Sequence, residues 1–366
     1  EELVIQKNNN DGKGNSYGCH ENYLVDRSVP FGRIVQQIMP FFISRQIFCG
    51  AGKIGSEAPG LTHAEVPFQI TQRADFFEEE VGLETTLKRP IVNTRDEPHA
   101  DSKKYRRLHV IVGDANMSEV QTYLKLGTTA IVLGMIDDDM APSNLAFETP
   151  VKTLREISYD LNLEMSHRLL DGQSVSALDV QWAYFSAAKL WSERVGFEVV
   201  GGDQIGRDIM DRWEKVLTAL ENDIDSLADS IDWIAKRRLY EGFRERHSLD
   251  WSDPRMAALD LQYHDLRPEK GLARRIGLKR VSTDKEVENA IESPPPTTRA
   301  YFRGRCLERY PDAIVAANWD SMVFDVGSDP LRRVPMLEPL RGTESHVAAL
   351  LDECENAAEL LRRLGT

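Results

Sequence analysis

The sequence predicts an α+β protein: a curved antiparallel sheet with a polar face, backed by helices, with a small C-terminal domain appended. Three observations predict it. Short segments in the first 130 residues alternate with period two, and their polar side carries His, Arg, Asn and Gln. Longer segments between and after them follow helical spacing. The run Pro294-Pro295-Pro296 then marks a boundary, giving a major domain over 1–293 and a small one over 294–366.

Taken in order, Tyr17 to Val25 reads as a strand with His20, Asn22 and Leu24 on one face. Phe31 to Phe48 reads as an apolar helix stopped by Gly50 and Gly52. Phe68 to Arg73 places Gln69, Thr71 and Arg73 together, and Ile91 to Arg95 places Asn93 with Arg95. In Arg107 to Gly113, the residues Arg107, His109 and Ile111 oppose Leu108, Val110 and Val112. A merely solvated sheet face carries Lys, Glu and Thr. Residue types that bind phosphates and metals point instead to a polar basin. Ser118 to Met135 reads as a second helix. A helical segment runs from 176 to about 265, with Trp182, Trp191, Trp213 and Trp233 as core anchors. The small domain reads as a helix (Thr298 to Glu308), a strand signal (Met322 to Phe324) and a final helix (Ser345 to Leu364).

The chain has 366 residues, 41% of them apolar, and a net charge of −14. That supports real cores and argues against nonspecific nucleic-acid binding, which rewards basic surfaces. Four scattered cysteines (Cys19, Cys49, Cys306, Cys354) make no disulfide framework and suit a reducing cytoplasm. No apolar run approaches the roughly 20 residues that span a bilayer, and Glu1-Glu2-Leu3-Val4 does not look like a signal peptide.

Familiar motifs fail on inspection. Gly50-Ala51-Gly52-Lys53 lacks the earlier Gly and the following Ser or Thr of a phosphate loop, since positions 47 and 54 are Ile. His20-Glu21 opens like a zinc-protease motif, but position 24 is Leu. No Gly-x-Ser-x-Gly elbow is present. What remains is dispersed: the polar, glycine-rich Asn8 to Gly14, then Gln72-Arg73, Asn93 to Asp101, and Arg106 to His109. Guanidiniums for phosphate charge and imidazole or oxygen ligands for divalent ions are the parts of a metal–nucleotide site.

The runs Asn15 to Leu24 (NSYGCHENYL), Glu80 to Pro90 (EVGLETTLKRP), Val92 to Asp101 (VNTRDEPHAD) and Tyr105 to Glu119 (YRRLHVIVGDANMSE) resemble the Pup ligase and Pup deamidase family. So do Trp319-Asp320-Ser321 and Leu337 to Gly342 (LEPLRG). Val81 to Leu87 and Ala300 to Gly304 resemble its deamidase branch. The resemblance implies a glutamine-synthetase-like fold that cradles ATP and Mg2+. It implies His20 and His109 as magnesium ligands, Arg73 and Arg95 as partners of the ATP phosphates, and Trp319 as the adenine-stacking residue. Glu97, His99, Arg107 and Arg303 are further candidates. The implied activity is deamidation of the C-terminal Gln of the prokaryotic ubiquitin-like protein Pup and release of Pup from substrate lysines. Turnover of the γ-phosphate is not expected for that branch. The implied partners are Pup and pupylated proteins, and the full-length protein is expected to be monomeric. Because Pup is acidic, a basic track is expected at Lys236-Arg237-Arg238, Arg274-Arg275 or Lys279-Arg280. Family members carry an acidic first strand, a catalytic aspartate and a mobile loop before the stretch that matches here. The catalytic group is therefore expected outside residues 1–366. A ligase of the same fold, or a non-catalytic Pup- or ATP-binding remnant should the chain start at Glu1, stays open.

Overall fold

The computed structural model describes residues 3–62, 64–327 and 330–365. The chain divides into two compact units, one of Glu1–Asp96 with Arg107–Val281, the other of Glu97–Arg106 with Ser282–Thr366. The sequence places the boundary at Pro294; the units part between Val281 and Ser282, and the second also takes the short insert before Arg107.

In the first unit, β1 (Glu21–Asp26) leads to α1 (Phe31–Ser44) and α2 (Gln46–Cys49). α1 is buried almost throughout its second half and carries Pro40 internally, and the Ser44 hydroxyl donates to the Pro40 carbonyl at 2.7 Å. The predicted single helix over 31–48 thus forms as two pieces. They end at Gly50, which is extended and where a Cβ would lie 2.3 Å from the Ile70 carbonyl oxygen. The strands β2 (Lys53–Ile54), β3 (Phe68–Gln69), β4 (Phe77–Gly82) and β5 (Arg89–Asn93) follow, then β6 (Tyr105–Val110), whose last four residues belong to this unit. Helices α3 (Glu119–Asp137) and α4 (Pro150–Tyr159), the hairpin β7 (Ser166–Arg168) and β8 (Ser174–Ser176), and helices α5 (Ala177–Val195), α6 (Asp203–Asn222), α7 (Asp232–His247), α8 (Pro254–Tyr263) and α9 (Leu272–Arg275) complete it. Ser118 caps α3 by accepting the Gln121 amide, as its sequence suggests.

The α+β class holds, with the strands in small separate sheets: β1–β6, β2–β3, β4–β5 and β7–β8 here. β4 and β5 run parallel. The strand predicted over 68–73 is paired only at Phe68 and Gln69. Beyond it, side chains replace a neighbouring strand: Ser158 Oγ accepts the Thr71 amide at 3.1 Å and Asp114 Oδ2 the Gln72 amide at 2.9 Å. Asn93 and Arg95 do not share a face. Asn93 is buried, donating to the Leu83 and Glu84 carbonyls, while Arg95 is exposed. Trp191, Trp213 and Trp233 are fully buried in a core with Phe41, Phe48 and Phe68; Trp182 packs on it half-buried.

The second unit holds α10 (Asp284–Glu292), α11 (Ala300–Arg309), the antiparallel sheet of β9 (Ile314–Ala317), β10 (Ser321–Phe324) and β11 (Arg332–Pro335), then α12 (Glu344–Glu353) and α13 (Ala357–Leu364). Its core gathers Phe302, Cys306, Met322, Phe324, Leu351 and Leu360. The final helix predicted as continuous is broken at Cys354, which is extended, and Asn356 caps α13. The insert Glu97–Arg106 is bound here: the Asp101 amide donates to the Leu337 carbonyl, Arg299 to the His99 carbonyl, and Lys104 and Tyr105 to Glu338.

Candidate nucleotide site

β1 sets the geometry of the first unit's polar cluster. Glu21 points inward, where Arg45 grips both its oxygens at 2.6 and 3.0 Å, and both side chains are almost wholly buried. Burial alone would raise the Glu21 carboxyl; the Arg45 and Lys125 charges outweigh it and hold the group below its usual range. Period-two alternation then turns His20 and Asn22 outward. Asn22 Oδ1 faces Arg107 Nη1 at 3.4 Å and His109 Nδ1 at 2.9 Å. A guanidinium only donates, so this Asn22 atom is the acceptor and His109 carries its proton on Nδ1. The rings of His20 and His109 meet edge to face, with centroids 4.8 Å apart. Desolvation, then the charges of Arg73, Arg95 and Arg107, push the His20 pKa down, which keeps that imidazole neutral.

Arg73 is buried, its Nε donating to Ser16 Oγ at 3.2 Å and its Nη1 to the Ile111 carbonyl, over the ring of Phe77. Burial lowers its pKa to about 10, which leaves it charged at neutral pH. Ser16 closes the glycine-rich segment by bridging to Asn10. Asp11 accepts the amides of Lys13 and Asn15, and Glu57 accepts the Gly14 amide and the Asn10 side chain. Asp96 takes Arg27 at 2.5 and 3.2 Å and the Arg107 amide at 3.2 Å, so it clasps β6 rather than facing a ligand.

The first unit therefore brings together His20, His109, Arg73, Arg95 and Arg107. Three guanidiniums around the neutral His20 imidazole suit a polyanion such as a nucleotide's phosphates. They do not by themselves suit a divalent metal. No group of three or more His, Cys, Asp or Glu among the described residues is arranged to hold one. Magnesium takes oxygen ligands, so it would be held chiefly by phosphate and water.

Trp319, Arg303, Glu97 and His99 belong to the second unit. Trp319 is 64% exposed, and the Arg303 guanidinium stacks 5.2 Å from its ring centroid while donating to the Asn318 carbonyl. An exposed indole backed by a cation is suited to stacking on a planar base. Glu97 and His99 are exposed, and His99 has a left-handed backbone (φ 48°).

One sequence expectation is corrected. Lys236 is no part of a basic track: it is fully buried, bonding the Gly52 carbonyl at 2.8 Å, His264 at 3.0 Å and Asp260 at 2.5 Å. Lys279 and Arg280 are exposed but paired with Asp229 and Glu119. Rejection of Gly50–Lys53 as a phosphate loop stands, since Lys53 is buried against Glu57 and Asp75. The sequence reading missed Arg45, Asn22's bridging role and Asp114. Asn22 was on the predicted face; Arg45 lies 24 residues from its partner, with no spacing signal to link them.

A family model described as Pup-ligase protein matches residues 1–323. A depupylase of Acidothermus cellulolyticus is 53% identical, over 99% of this chain and 72% of its own length. A Pup deamidase/depupylase of Mycolicibacterium smegmatis is 49% identical over the same shares. A solved Pup ligase of the prokaryotic ubiquitin-like modification pathway, in complex with ADP, superposes with a TM-score of 0.84 at 37% identity, covering 96% of this chain and 77% of that one. With the family model matching most of its length and relatives about half identical over nearly all of it, the chain belongs to the Pup-ligase family.

Proposed function

We propose that this protein works as a nucleotide-dependent hydrolase on Pup, converting its C-terminal Gln to Glu with release of ammonia and freeing Pup from substrate lysines. The observation that carries this reading is the greater similarity to the depupylases than to the solved ligase. ATP is the proposed nucleotide: the first unit offers Arg73, Arg95 and Arg107 for phosphates, and the second, taken by itself, offers Trp319, backed by Arg303, for a planar base. Magnesium is proposed to enter with the phosphates, with His20 and His109 as this chain's ligands. No helix among the described residues is long and apolar enough to cross a membrane, and a cytoplasmic, monomeric protein is proposed.

The chain's own residues prepare the site in three ways. Neutral His20 can ligate without first losing a proton. The buried Arg73 holds fixed positive charge where reorganisation costs little. Asn22 fixes the His109 tautomer. The deciding assay combines Gln-ended Pup and magnesium with ATP or a non-hydrolysable analogue. Conversion of the amide to the acid, seen by mass, with little ADP formed and some activity from the analogue, is the expected result. Unchanged Gln-ended Pup, with Glu-ended Pup joined to lysine and matching ADP release, assigns the protein to the ligases instead.

A further inference from the structure

The first unit holds a small cavity beside α2, lined almost wholly by buried residues. It offers about 10 Å³, the room one water needs. Arg45, Gln46, Gly50, Thr71, Gly113 and Asp114 are among its lining residues. Two of them carry a buried oxygen with no partner: Gln46 Oε1 and Asp114 Oδ1. Gln46 is 5% exposed and Asp114 2%.

Neither side chain can turn to escape this. Gln46 Nε2 donates to the Ile43 and Leu154 carbonyls at 2.7 and 3.0 Å, and a carbonyl cannot donate in return, so the amide cannot flip. Asp114 Oδ2 is taken by the Ala51 and Gln72 amides at 2.8 and 2.9 Å. Two acceptors cannot satisfy each other, and a buried acceptor left unmet costs about 1–3 kcal/mol. The missing group must donate twice and be small. A cation would also attract both oxygens, and a rubidium soak distinguishes it from water.

We propose that this cavity is a binding site for one internal water, which donates one hydrogen to Asp114 Oδ1 and the other to Gln46 Oε1. The water ties α2 to Asp114, whose second oxygen holds the Gln72 amide and hence the chain entering Arg73. It depends on no reading of the protein's activity.

A crystal structure of the wild-type chain, at a resolution that orders internal waters, tests it together with a rubidium soak. A single peak within hydrogen-bond distance of both oxygens, without rubidium anomalous signal, is expected. No peak, a rubidium peak, or direct contact between the two oxygens (which requires a protonated acid) overturns the proposal. In Gln46→Met, of similar length but without an acceptor, the peak should be lost, and its persistence unchanged would also count against it. If that variant fails to fold, the wild-type crystal decides alone.

Discussion

Replacing Arg45 with Met tests whether the buried ion pair under β1 holds the outward face in place. Arg45 makes two bonds to Glu21 and one to Thr129, and its guanidinium lies 4.6 Å from the centroid of the Phe42 ring. Methionine preserves most of the packed stem. What it removes is the guanidinium that bonds both oxygens of a carboxylate that is 4% exposed. Breaking one side of a buried pair costs about 3–5 kcal/mol, whereas replacing both partners with apolar groups is often near neutral. Arg45→Met should therefore lose about 3–5 kcal/mol. Glu21→Leu/Arg45→Met should recover most of that, short of about 1 kcal/mol for the bonds that the Tyr23 and Thr129 hydroxyls lose, since Thr129 still donates to the Lys125 carbonyl. Urea unfolding followed by tryptophan fluorescence reads this, because Trp191, Trp213 and Trp233 all sit in the first unit's core. pH supplies an independent check. In the wild type the Glu21 carboxyl is held low, so its contribution is present above its ordinary value of 4.5 and lost as pH falls. In Arg45→Met the carboxylate is the liability, so the deficit should shrink on acidification. A double variant no more stable than Arg45→Met, with a pH-independent deficit, would refute the reasoning.

His20→Ala and His109→Ala should each weaken binding of ATP with magnesium while affecting metal-free ATP less; calorimetric titrations showing normal affinity in both variants sink their assignment. Trp319→Ala should lose about tenfold or more in nucleotide affinity, since stacking a base on an aromatic ring is worth about 1–3 kcal/mol, whereas Trp319→Phe should retain most of it. His264 is pushed down to about 3 by burial first and the Lys236 ammonium second, so the fold binds it neutral. Its unfolded form takes a proton below its ordinary 6.5. Stability should therefore be full above that value and fall with acidification, by up to about 1.4 kcal/mol per pH unit. His264→Gln should flatten that slope in pH-dependent unfolding, and an unchanged slope counts against the assignment.

The elements with strong local signals were legible in the sequence. α3 starts at its Ser118 cap, the three tryptophan-bearing helices form, and His20 and Asn22 do face outward with Leu24. The strand over 68–73 misled because its alternation is real but its partners are side chains, Ser158 and Asp114, far away in sequence. Lys236 misled for a related reason: in the run Lys-Arg-Arg on a helix, only the three-dimensional packing reveals that its first member faces Asp260 and His264. Of the candidate site, residue types were readable and pairings were not. Nothing local to Glu21 announces Arg45, and nothing in VNTRDEPHAD says that Asp96 grips Arg27.

The insert Glu97–Arg106 has a consequence for how the protein can be made and cut. The second unit is discontinuous: ten residues synthesised early wait for a partner that emerges from the ribosome last. Until then the His99 carbonyl lacks Arg299, and Lys104 and Tyr105 lack Glu338. A fragment ending at Val281 would carry this orphaned loop between Asp96 and Arg107, and a fragment starting at Ser282 would leave Arg299 with the Met336 carbonyl but not that of His99, and Glu338 without Lys104 and Tyr105. Each half would lack bonds that the whole chain makes, and a nick within 97–106 would divide the second unit's early-made piece, leaving its C-terminal part on the strand that carries His109.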